Sequence, residues 1–134
     1  MQVTNILALP LATMSIITGS NEDWIDVIKY VVSSGGDDSN IDALPQLDLR
    51  GIKFQMEVRR QVEEHEVVVS ASTADGKLAV GNPPNLGYLL INVPAAEMNF
   101  PGEYVGDIVA SDEIYSRVAV QFTLQIVTGI TRNP

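Results

Sequence analysis

The dominant signal along this chain is an alternation of apolar and polar side chains with a period of two. Ile52, Phe54, Met56 and Val58 alternate with Lys53, Gln55, Glu57 and Arg59. Successive side chains of a strand face opposite sides, so this spacing predicts a strand with one apolar and one wet face. Gly51 in front of it is the matching punctuation. The longest run of this kind covers Ile114 to Thr128. There Val118, Val120, Phe122, Leu124 and Ile126 hold one parity, while Arg117, Gln121, Thr123 and Gln125 hold the other. Glu66 to Thr73 is rich in Val, Ser and Thr, which suit a pleated surface. Ala74-Asp75-Gly76-Lys77 then predicts a hairpin turn, returning through Lys77 to Val80. Asn82-Pro83-Pro84-Asn85 predicts a loop, because proline cannot donate to a ladder. Gly87 to Val93 and Glu103 to Ala110 predict two more strands, the second closed by a turn at Ser111-Asp112-Glu113.

The first third is less regular. Met14 to Thr18 predicts an edge strand. Trp24 to Val32 fits a strand, or a short helix capped by Ser20 or Asn21, and its β-branched residues favour the strand. Residues 33–48 have the composition of an acidic loop. The division that follows is an N-terminal arm or edge strand over residues 1–20, then one β-sandwich domain over 21–134. About seven to eight short strands separated by turn signals predict an all-β fold, an antiparallel immunoglobulin-like β-sandwich. Tyr104 stands just after a short crossover, Pro94 to Phe100. That is the position of a tyrosine corner, although an ordinary core tyrosine fits as well.

Composition mostly removes function classes. The chain has 134 residues, enough for one domain, and 46% are apolar. It has no cysteine and one histidine, which removes disulfides, thiol catalysis, iron–sulfur clusters and thiolate or multi-histidine zinc sites. A net charge of −9 argues against a nucleic-acid partner, which needs a basic footprint. The start lacks the basic region of a signal peptide, and no run approaches the ~18 apolar residues of a membrane span. A soluble protein made in the cytoplasm is the expectation.

Candidate chemistry is thin. Asp38, Asn40 and Asp42 place oxygen side chains at alternate positions, as a calcium loop begins, but Ala43 and Leu49 stand where that motif needs Gly and Glu. They are weak calcium candidates, and a solvated acidic loop is the plainer reading. His65 has no nucleophile or orienting group that can be named beside it. Arg59-Arg60 is the single basic doublet, and it predicts local pairing with Glu63-Glu64 across a turn. A carboxylate pair acting as acid and base would need two of the seventeen acidic residues close together in a pocket. Trp24, Tyr88 and Tyr115 are the aromatics to inspect for sugar stacking, with core packing the plainer role. No catalytic residue, cofactor or firm metal site is predicted.

One resemblance goes further. Leu47-Asp48-Leu49-Arg50-Gly51-Ile52-Lys53-Phe54 leads into Met56-Glu57-Val58-Arg59. Later come Pro101-Gly102-Glu103-Tyr104-Val105-Gly106-Asp107-Ile108, then Arg117-Val118, then Ile130-Thr131-Arg132. This order resembles small immunoglobulin-like structural proteins of tailed bacteriophages and prophages, and the N-terminal domain of phage baseplate or tail-fibre proteins. It covers about residues 47–132. Two departures stand out. Gly106 replaces the second aromatic of a usual Tyr-x-Tyr-Asp, and Phe122 or Thr123 stands where a glycine is frequent. The resemblance implies a non-enzymatic assembly protein of a virion tail, baseplate or neck, meeting other virion proteins or forming a homo-oligomer. It implies location in the bacterial cytoplasm and then in the virion, with no nucleic-acid or membrane partner. The alternative is a carbohydrate- or ligand-binding sandwich module. The uncharged N-terminal arm and the long final strand are the expected contact surfaces, with the arm ordering only on a partner.

Overall fold

The structure is a computed structural model that describes residues 4–32, 45–63 and 65–128. Its strands are β1 (Ala12–Gly19), β2 (Trp24–Lys29), β3 (Lys53–Arg59), β4 (Val69–Ser72), β5 (Leu78–Val80), β6 (Tyr88–Val93), β7 (Gly102–Ser111) and β8 (Ser116–Val127). A five-stranded sheet ordered β1-β8-β7-β3-β4 faces a three-stranded sheet ordered β2-β6-β5. This is an immunoglobulin-like sandwich. The alternation explains why it closes. Phe54, Met56 and Val58 of β3, Tyr104 and Ile108 of β7, and Leu124 and Ile126 of β8 point inward. Leu89, Ile91 and Val93 of β6 meet them from the opposite sheet. The β-branched segment at Trp24 is a strand, paired with β6 from Trp24 to Lys29.

Tyr104 forms the tyrosine corner. Its hydroxyl donates to the Phe100 carbonyl at 2.5 Å, tying β7 to the crossover that brings the chain from one sheet to the other. Tyr30 does similar work at the far side, donating to the Ala119 carbonyl at 3.2 Å. Burial pushes its phenol up to about 12, so it stays a neutral donor.

Four expectations need correction. The turn at Ala74–Lys77 forms, with Gly76 at a φ of 84° and Asp75 accepting from the Lys77 and Ser72 amides. It does not make a hairpin. β4 pairs with β3 and β5 pairs with β6, so the turn carries the chain between sheets. Second, not every pair is antiparallel: β1 lies parallel to β8 along its whole length. Third, the even parity of the last strand breaks near its start. Ile108 faces Val120 while Val109 faces Val118, leaving Ala119 as an extra residue. This bulge buries both Ala119 and Val120 and turns Val118 outward. Fourth, the described part of the N-terminal arm is docked on its own domain. Ile6 and Leu9 are buried, Thr4 Oγ1 donates to Asp112 at 2.6 Å, and Arg117 Nη1 donates to the Leu7 carbonyl at 2.7 Å. Order in the arm does not wait for a partner.

Candidate functional site

The two sheets show solvent very different faces. On the outside of the five-stranded sheet, register lines up side chains from four strands. Thr13 lies opposite Gln121, Gln121 opposite Asp107, and Asp107 opposite Glu57. The neighbouring row runs Ser15, Thr123, Val105, Arg59. These rows floor an open groove of about 440 Å³ whose lining includes Thr13, Val62 and Asp107. Directly opposed side chains have their Cβ atoms about 4.5–5.5 Å apart, so Asp107 and Glu57 feel one another. Burial, and then the Glu57 carboxylate, push the Asp107 carboxyl up, against the pull of Arg59. Arg59 itself binds Glu57 at 3.1 Å, and its Nε is buried without an acceptor among the described residues.

The shift has a sign that can be checked. A carboxyl raised in the folded state holds its proton more tightly there than in the unfolded chain. Its contribution is therefore most favourable below the unfolded value near 3.8 and is lost as pH rises through the folded value. Asp107→Asn is expected to be more stable than the parent at about pH 7, with the difference closing at about pH 3. Urea midpoints of both proteins at the two pH values check it, and a variant weaker at neutral pH refutes it.

The outside of the three-stranded sheet has an apolar patch at its centre, with Asn92 and Lys29 on either side of it. Val27 of β2 lies opposite Leu90 of β6, and Leu90 opposite Ala79 of β5. Ile25 extends the patch beside Val27 on the same face of β2. Ile25 is 68% exposed and Val27 47%. Lys29 borders the patch with its ammonium 5.8 Å from the Tyr88 ring centre. Because Trp24 and Ile28 fill the inner face, β2 carries large apolar side chains on both sides, beside Asp26 and Lys29. β6 repeats this, with Leu90 outside and Leu89 and Ile91 inside. Strands buried on both faces read in this way.

The candidate residues from the sequence fare unevenly. Trp24 is only 2% exposed and packs edge-on against Phe122, with ring centres 5.7 Å apart, so it cannot stack on a sugar. Tyr115 is exposed and stands apart from the groove. Arg59 pairs with Glu57, Arg60 lies 5.4 Å over the Tyr104 ring, and Glu64, one of the two partners expected across the turn, lies outside the described residues. His65 is exposed. Asp38, Asn40 and Asp42 lie outside the described residues. The final strand sits between β1 and β7, so it has no free edge to offer. What the sequence did not show is the polar row, since cross-strand register is non-local. The two-sided apolar character of β2 was visible in Ile25 and Val27 as an alternation that fails. A scan against models of protein families finds no match, and a search of the curated proteins finds no significant relative.

Proposed function

We propose that this chain is a non-enzymatic assembly module of a phage or prophage virion, in its tail, baseplate or neck, working through protein–protein contact. One observation carries the contact role: the three-stranded sheet, apolar on the inside, also holds an exposed apolar patch of Ile25, Val27, Leu90 and Ala79 on its outside. A small soluble sandwich normally keeps one face of an antiparallel sheet polar. Leaving Ile25, Val27 and Leu90 in water wastes about 25 cal/mol for each Å² that a partner would cover. The virion setting rests on the resemblance of residues 47–132 to phage immunoglobulin-like proteins alone.

The test is composition of particles. Virions purified from a host carrying the gene are expected to contain this chain by mass spectrometry. Val27→Asp, on an exposed position, is expected to fold normally yet be depleted from particles at least severalfold. Particles that lack the chain, or that take up the Val27→Asp variant as well as the parent, overturn the reading. The ligand-binding alternative keeps one supporting feature, the polar groove over Asp107 and Glu57. It has lost Trp24, and the groove carries no exposed aromatic ring among the described residues.

A further inference from the structure

We propose that β1 pairs with β1 of a second copy, antiparallel about a two-fold axis at Ser15, joining two five-stranded sheets into one continuous sheet. The contact is separate from the apolar outer face and does not depend on it.

Among the described residues β1 is an end strand, eight residues long and without charge or proline. Natural sheets usually blunt such an edge with charges, proline or a bulge, because its unpaired amides and carbonyls are a template for another strand. Two hydrogen bonds fix which residues face the open side. The Ser20 amide donates to the Val127 carbonyl of β8 at 2.8 Å, so even-numbered residues of β1 point their polar backbone toward β8. The Gly19 amide instead donates to the Glu22 carboxylate at 3.1 Å, on the open side. Alternation then leaves the amides and carbonyls of Thr13, Ser15 and Ile17 facing outward. Glu22 closes the row at Gly19.

That row is self-complementary. With Ser15 opposite Ser15, Thr13 meets Ile17 in both directions, and every out-facing residue forms a hydrogen-bonded pair. In this register Met14 lies opposite Ile16 of the second copy. Met14 and Ala12 pack only partly buried against the core, and Ile17 is 72% exposed. The second copy covers apolar surface on both sides of the strand. Charge favours the same place. Two chains of −9 repel over most of their surfaces, but residues 1–21 carry no charged side chain, and β8 beside them carries only Arg117. The β2 edge, by contrast, bears Asp26 and Lys29.

The chain has no cysteine, so an introduced pair reads the register directly. Hydrogen-bonded antiparallel partners have Cα atoms about 5.5 Å apart, within the roughly 4.4–6.8 Å that a disulfide spans. Light scattering on the full chain is expected to give twice the monomer mass. Under mild oxidation Ser15→Cys is expected to cross-link to a dimer, and not after prior unfolding in urea. Thr13→Cys alone is expected to stay uncrosslinked, and an equal mixture of Thr13→Cys and Ile17→Cys to cross-link. Ser15→Lys, with circular dichroism unchanged, is expected to weaken the dimer severalfold by placing like charges across the axis. Val27→Asp is expected to leave the dimer intact, which separates this contact from the apolar face. A monomer at all accessible concentrations overturns the proposal. So does a dimer that Ser15→Cys fails to cross-link, because its interface then lies elsewhere.

Discussion

Trp24→Ala is expected to lower the unfolding free energy by about 3–5 kcal/mol, the usual cost of truncating a buried large aromatic. The indole is buried on the inner face of β2, and its ring meets Phe122 of the opposite sheet at an angle of 68°. Removing it leaves a void between the sheets and takes from Phe122 an edge-on partner worth about 0.5–1.5 kcal/mol beyond area burial. It also frees Asp26, whose carboxylate accepts from the indole Nε1 at 3.4 Å. A domain of this size holds only about 5–15 kcal/mol in all, so the variant should stand near the limit of folding. Urea unfolding followed by circular dichroism measures the loss. A change below about 1 kcal/mol would show that the ring is not packed as described.

Gly106→Ala is expected to cost about 1–3 kcal/mol by overpacking. Gly106 and Phe122 are direct partners in the β7–β8 register. A Cβ on residue 106 would lie 2.7 Å from Phe122 Cε2, closer still to Cζ, and 3.0 Å from the Glu57 carbonyl oxygen. The ring cannot swing away because Trp24 stands against it. Phe122→Leu alone should also destabilise, since it shortens a buried side chain. Together the two changes should cost less than their sum, because the smaller side chain vacates the space that the new methyl needs. A double-mutant cycle in urea measures this coupling, and strict additivity would refute it.

Most strands were legible because each is a local pattern. Phe54, Met56 and Val58 alternate inward as read, and Glu103 to Ala110 forms the strand expected of it, within β7. The corner at Tyr104 was legible as one of two readings, since a residue a few positions after a crossover fits an ordinary core tyrosine as well, and only the hydroxyl's bond to the Phe100 carbonyl separates them. Pairing was not. Ala74–Lys77 has the same turn chemistry whether the chain doubles back or changes sheet, and only the competition of β3 and β6 for partners decides. The bulge at Ala119 was hidden because Val118 continues the alternation that the extra residue interrupts. The N-terminal arm was misread because absence of charge looks alike in a free segment and in one that buries Ile6 and Leu9. The Asp107–Glu57 row brings together residues fifty positions apart in sequence, and no local spacing encodes that meeting.

The parallel pairing of β1 with β8 has a mechanical consequence. Eight register positions, from Ala12 opposite Val120 to Gly19 opposite Val127, join the first strand to the last. Because the two strands run in the same direction, tension drawn from the start of β1 and the end of β8 slides one along the other. Their hydrogen bonds must then yield together in shear, whereas an antiparallel hairpin pulled from its open end peels one bond at a time. The geometry makes this seam a clamp against stretching along the strands.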